Sequence, residues 1–208
     1  FIFFDGVDSV PYTITWSQEH VPAILHMAHS SQDEGWALAQ VLFGDYNPGG
    51  RTTVTWPASM DQLPPMLDYD IRHGRTYMYF KGKPLYPFGY GLSYTTFRFA
   101  NLRTDSSSLA RDGRITVSVD VSNTGKVAGD AVPQLYVRYP GSKVERPALQ
   151  LAGFSRVRVE PGRTKTVRIP LKASQLAFWD AARSEMVVEQ GPGQRMGGAS
   201  SAEIVLRK

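Results

Sequence analysis

The residues best suited to chemistry in this chain are His29, Gln32, Asp33 and Glu34, an imidazole, an amide and two carboxylates close together in sequence. Carboxylates and amides suit bidentate contacts to the neighbouring hydroxyls of a sugar. The four residues stand in a connection from a short apolar strand to a helix, where α/β sheets put ligand contacts. They are therefore candidate substrate-binding groups. The two acids have a competing use that needs no ligand, because a carboxylate in the first helical turn stabilises a helix by about 0.3 to 1 kcal/mol. That structural use is the weightier of the two on sequence alone.

Other constellations are weaker. His20, His26, His29 and His73 do not fall at a metal-ligand spacing, since His26 and His29 straddle the end of a strand rather than share a helix face. No metal and no cofactor are expected. Asp68-Tyr69-Asp70 has the form of a paired-carboxylate site, but in a loop such a tripeptide more commonly closes turns through Asx hydrogen bonds. Tyr77, Tyr79, Tyr86, Tyr90 and Tyr94 could stack on sugars; their mixture with glycine and proline favours packing between domains. Gly89-Tyr90-Gly91 is not a nucleotide loop, because no third glycine and no strand-to-helix switch follow it.

These groups need elements to hold them. Phe1 to Phe4 reads as the end of a buried strand closed by Asp5-Gly6, and Ala23 to Met27 as a second short strand entered at Pro22. The spacing of Trp36, Ala37, Leu38, Val41 and Leu42 predicts a helix from Asp33 to a glycine cap at Gly44. Asp45 to Gly50 is a turn cluster, and Arg51 to Trp56 alternates as a strand until Pro57. One helix and three short strands are α/β material, too little to cover both faces of a parallel sheet. Residues 57 to 95 are rich in proline, glycine and tyrosine, as expected of an interdomain strap. From residue 96 the pattern turns to β. The predicted strands are Ile115 to Val121, Val132 to Tyr139, Leu151 to Val159, Lys165 to Leu171, Glu185 to Glu189 and Ala202 to Leu206. Turn signals at Asn123-Thr-Gly125 and Pro161-Gly162 separate them, the mark of an immunoglobulin-like sandwich. The fold class is thus a partial α/β sandwich segment (1–56), a strap (57–95) and an all-β immunoglobulin or fibronectin type III-like sandwich (96–208).

Composition divides at the same place. Residues 1 to 95 hold 5 basic and 9 acidic groups and 17 of the 24 aromatics, whereas residues 96 to 208 hold 18 basic and 10 acidic groups. The basic half raises nucleic-acid binding, but scattered cations with acids among them read as the solvated face of a sandwich, so no nucleic acid is expected. No apolar run approaches the roughly 18 residues of a membrane span, so no membrane is expected either. The chain opens on Phe1 without an initiator methionine or a signal-peptide pattern, which reads as a chain cut from something longer. Zero cysteines leave the compartment open.

An ordered series of motifs runs along nearly the whole chain. Val21-Pro-Ala-Ile-Leu25, Gln32, Ala37 to Arg51 with its Asn47-Pro-Gly-Gly-Arg51, Gly74-Arg-Thr-Tyr77 and Pro84 to Tyr94 resemble the close of the α/β sandwich domain in glycoside hydrolase family 3. Val121 to Gly125, Gly129-Asp130, Gln134 to Val137, Arg146-Pro147, Leu151 to Phe154, Pro161-Gly162, Leu176 to Asp180 and Ala199 to Ala202 resemble the family's fibronectin type III-like module. A departure falls at His29 to Gly35, where many members have Tyr-Pro-Gly-Gln-Glu-Gly-Gly.

The resemblance implies a C-terminal part of a retaining, exo-acting β-glycosidase that removes terminal β-D-glucosyl or β-D-xylosyl residues by double displacement. It also implies a nucleophilic Asp on a preceding (β/α)8 barrel and an acid/base Glu ahead of this segment, so no catalytic residue is assigned here and the chain alone is expected to be inactive. The expected partner is the remainder of the parent enzyme, or a second copy of the chain, with oligosaccharide met through the parent; a periplasmic or secreted parent is favoured. The competing function is a non-catalytic module for protein contacts or polysaccharide adhesion. Stand-alone catalysis at His29 to Glu34 is weakest, because the loop offers no opposed carboxylate at the ~5 Å of a retaining pair.

Overall fold

Two short apolar runs and the chain between them organise the first half. A computed structural model describes residues 2–5, 13–27, 32–189, 194–198 and 205–206, with only backbone pairing for 2–5, 194–198 and 205–206. The chain divides into two compact units, Phe1–Leu92 and Ser93–Lys208.

In the first unit β1 (Ile2–Asp5) and β2 (Ala23–His26) pair in parallel, from Ile2 opposite Ala23 to Asp5 opposite His26. Parallel neighbours require a crossover, and it contains a short helix, α1 (Thr15–His20), that the sequence pattern does not announce. The predicted helix is α2 (Glu34–Phe43). Gly44 ends it at φ 84, in the left-handed region open to glycine, and its N–H donates to the carbonyl of Val41 at 3.2 Å.

The strand expected at Arg51 to Trp56 is corrected by the structure. The segment bends at Thr53 and Val54, and it pairs with residues 85–90 only through an isolated Trp56–Tyr86 bridge and hydrogen bonds at Thr52. The reason lies in the facing chain: Pro87 has no N–H to donate, and Gly89 turns the backbone to φ 79, so a ladder cannot propagate. Trp56 is nonetheless buried, at 2% exposure.

The second unit is a β-sandwich. One sheet runs β3 (Phe97–Thr104), β4 (Arg114–Asn123) and β9 (Thr164–Lys172), all antiparallel. β5 (Gly129–Ala131) pairs with β8 (Val157–Val159). β6 (Gln134–Arg138) lies between β7 (Gln150–Phe154) and β12 (Gln194–Gly198), with β13 (Val205–Leu206) outside β12. β10 (Phe178–Asp180) and β11 (Glu185–Val187) form a separate hairpin. Alternation in β4 buries Ile115, Val117, Val119 and Val121 against Val167, Ile169 and Leu171 of β9, with Leu135, Val137, Ala152 and Val159 completing the core.

Two expectations change here, and β3 is a strand that the sequence pattern does not announce. Leu151 to Val159 is two strands, because the chain leaves β6 at Ser155 and joins β5, where Arg156 pairs with Asp130 at 2.5 Å. Val132 to Tyr139 starts as a strand only at Gln134, after Pro133. β3 escapes the alternation rule because Asn101 bulges at φ 53 and shifts its register against β4. The part of Ala202 to Leu206 before Val205 lies outside the described residues.

Candidate functional site

In parallel sheets the carboxyl ends of the strands face the ligand side. Here β1 and β2 end together at Asp5 and His26, and the connection from β2 leads to α2. Gln32, Asp33 and Glu34 are consecutive exposed residues at the mouth of that helix; His29 lies outside the described residues. The structure thus keeps three of the four candidates together. It also qualifies the capping reading: Asp33 is the N-cap residue, its carbonyl accepts from Ala37 N–H at 3.0 Å, yet its side chain makes no capping hydrogen bond. Glu34 is the first-turn acid.

Beside this connection runs an aromatic relay that sequence reasoning did not assemble. His26 meets the edge of Trp56 (centroids 5.0 Å, planes at 80°), Trp56 meets Tyr86 at 6.1 Å, and Tyr86 stacks on Tyr90 at 5.2 Å. The Tyr86 hydroxyl donates to Oε1 of Gln18, and burial pushes its pKa up. Tyr77 stacks on Phe88 at 4.1 Å within the same unit, and Tyr94 is half exposed. The sequence signal for His26 is its place at the end of the apolar strand β2. Among the described residues no three His, Cys, Asp or Glu side chains gather as a metal site, and no helix is long and apolar enough to cross a membrane.

Asp68 and Asp70 act as turn formers. Asp68 Oδ1 accepts from Asp70 N–H at 3.0 Å, and Asp70 Oδ1 from Arg72 N–H at 3.0 Å, capping a short 3-10 turn at Ile71–His73. Arg75 fastens the loop below by donating to the carbonyls of Pro65 (2.6 Å) and Asp68 (2.8 Å). His73 Nδ1 lies 2.6 Å from Asp68 Oδ2, and that hydrogen bond raises the His73 pKa above an ordinary histidine. The same bond holds Asp68 below the usual carboxylate range, and the Arg72 side chain holds Asp70 still lower.

The signs set a pH window. A raised histidine pKa gives stability present below the unfolded histidine value and lost as pH rises through the folded one. Lowered carboxylate pKa values give stability present above the unfolded carboxylate value and lost as pH falls through the folded ones. The loop is therefore tied most firmly in mildly acidic solution. NMR titration should show the His73 ring titrating above an ordinary histidine, and Asp68→Asn should bring it back down. An unchanged midpoint in that variant would refute the pairing.

The architecture is of a class in which the end of an α/β domain is followed by a fibronectin-like sandwich. Residues 7–94 match the glycosyl hydrolase family 3 C-terminal domain and residues 131–201 the fibronectin type III-like domain. The chain is similar to a β-xylosidase of Formosa agariphila (40% identical; 94% of this chain, 27% of that protein) and to a periplasmic β-glucosidase of Salmonella typhimurium (37%; 88% and 25%). Among solved structures it superposes on β-glucosidase 3B of Thermotoga neapolitana in complex with α-D-glucose, with TM-score 0.85 at 29% identity, over 99% of this chain and 30% of that one. A β-glucosidase from Kluyveromyces marxianus gives 0.84 at 32% identity, over 99% and 25%. The chain belongs to glycosyl hydrolase family 3, as part of the C-terminal region of such an enzyme. It spans about a quarter of the length of these relatives.

Proposed function

We propose that the chain is the structural and substrate-shaping C-terminal part of a retaining, exo-acting β-glycosidase whose parent removes terminal β-D-glucosyl or β-D-xylosyl residues. The observation that carries this is the similarity along nearly the whole chain to β-xylosidases and β-glucosidases, at 40% identity for the Formosa agariphila protein. Gln32, Asp33 and Glu34 stand exposed beyond the strand ends, which supports a substrate-facing role for that loop together with His29. The acids Asp33 and Glu34 are neighbours at the start of one helix, whereas a retaining mechanism needs carboxyl groups on opposite sides of the scissile bond, about 5 Å apart. Catalysis therefore draws its nucleophile and acid/base from the remainder of the parent.

That remainder is the partner we propose. The exposed Trp36 (68%) and Phe43 (83%), seven residues apart on α2, support a further layer of protein on that face; self-association is the competing way to cover it. Purified chain should show no turnover of aryl β-glucosides or β-xylosides, and co-expression with the preceding part of the parent should restore it. Turnover by the chain alone, surviving replacement of both Asp33 and Glu34, would refute the proposal.

A further inference from the structure

The cations that look scattered in the sequence are gathered by strand register. In the sheet β3-β4-β9 the inward residues fill the core, so the outward ones form a single face. Reading across it, Arg98, Ser122 and Thr164 form one row, Ala100, Asp120 and Thr166 the next, and Arg103, Ser118 and Arg168 a third. Thr116 and Pro170 follow, and then Arg114 directly opposite Lys172. All five cations are exposed.

Two acids stand among them, and both are already committed: Asp105, beside Thr116 at the end of β3, accepts from the Thr116 N–H at 2.7 Å, and Asp120 is tied to its own neighbours. Asp120 accepts from Thr166 Oγ1 at 2.7 Å and Asn101 Nδ2 at 2.9 Å, and pairs with Arg103 at 3.1 Å. Among the described residues Arg98, Arg114, Arg168 and Lys172 have no carboxylate within ion-pair distance. Like charges directly opposite on neighbouring strands are destabilising. The Arg114–Lys172 pair is therefore an uncompensated repulsion that a bound anion would relieve.

We infer that the outer face of this sheet binds an acidic polysaccharide, a chain of β-linked sugars carrying carboxylates. The Arg103–Arg168 and Arg114–Lys172 rows lie four residues apart along β4, roughly 13 Å on a strand, so both can be met by carboxylates spaced along one extended polymer. Between and beside them the hydroxyls of Thr116, Ser118, Ser122 and Thr164 offer donors and acceptors to sugar hydroxyls. Duplex nucleic acid fits less well, because a flat strand face presents no element to a groove. Single strands fit less well too, because none of the outward residues named here is aromatic and able to stack on bases. The choice of a polysaccharide among polyanions rests on the glycosidase reading above.

Affinity electrophoresis of the 208-residue chain tests this, in native gels cast with xylan bearing glucuronate side groups or with the same xylan after carboxyl reduction. Retardation by the first is expected, weakening about tenfold on carboxyl reduction and falling as salt rises from about 20 to about 200 mM. The triple variant Arg114→Gln, Arg168→Gln, Lys172→Gln should lose about tenfold in affinity while its thermal unfolding temperature stays level or rises slightly, because the Arg114–Lys172 repulsion is gone. Equal retardation by the reduced xylan, an unaffected triple variant, or equally tight binding of a duplex DNA competitor would each overturn the inference. None of these outcomes bears on the glycosidase reading, which is read separately from turnover after co-expression.

Discussion

Replacing Asn123 by leucine should destabilise the β-sandwich by roughly 3 to 5 kcal/mol and lower its Tm by about 15 °C. Asn123 is 1% exposed, yet its amide is fully satisfied. Nδ2 donates to the carbonyls of Val127 and Val159, each at 2.8 Å, while Oδ1 accepts from Thr95 Oγ1 at 2.7 Å and from Gly125 N–H at 3.0 Å. Leucine would leave two carbonyls, a hydroxyl and an amide without partners in a site closed to water. Removing one partner by Thr95→Val should cost much less, about 1 to 1.5 kcal/mol. Thermal unfolding followed by circular dichroism measures both; a leucine variant within about 1 kcal/mol of the parent chain would show that the network carries little.

The second large effect is expected at Gly91, in the first unit. A Cβ placed there would fall inside van der Waals contact with the backbone oxygen of Gly50 and 2.8 Å from an Arg51 guanidinium nitrogen. Backbone cannot swing aside as a side-chain tip can. Arg51 is itself constrained: one guanidinium nitrogen donates to Gly50 O at 2.8 Å, and burial lowers its pKa. Gly91→Ala should therefore push residues 49–51 away from 89–91 and cost up to about 3 kcal/mol of local stability. The readout is hydrogen exchange at Thr52 and Gly89, whose N–H groups donate to Tyr90 O and Thr52 O at 2.8 Å each. Exchange unchanged at both amides would show that the close approach is not required.

What the sequence disclosed follows from where a local rule was sufficient. β4 was legible because one buried face imposes period two on Ile115, Val117, Val119 and Val121, and α2 because the apolar spacing and Gly44 mark its body and its end. The strand predicted at Arg51 failed because a strand is a property of two segments, and the second carries Pro87 and Gly89. α1 is too short for periodicity, and β3 hides its alternation behind the bulge at Asn101. At the candidate site, the loop of Gln32 to Glu34 was visible as chemistry, whereas the relay from His26 through Trp56 to Tyr90 joins residues up to 64 positions apart, and no local pattern links them. The basic face likewise looks dispersed along the sequence, because register alone brings Arg114 opposite Lys172.

The bond from Thr95 to Asn123 has a consequence for how this module can be exchanged between proteins. Thr95 precedes the first strand of the sandwich by one residue, Thr96, yet its side chain is spent deep in the module's interior, and the Thr96 carbonyl takes the N–H of Thr124 at 2.9 Å. A recombination joint placed at residue 96 would hand the recipient a sandwich whose Asn123 lacks a donor. A joint at or before Ser93 would carry the donor along. Domain shuffling that preserves this module should therefore inherit Thr95 with it, and grafts designed for a new host should begin there or earlier.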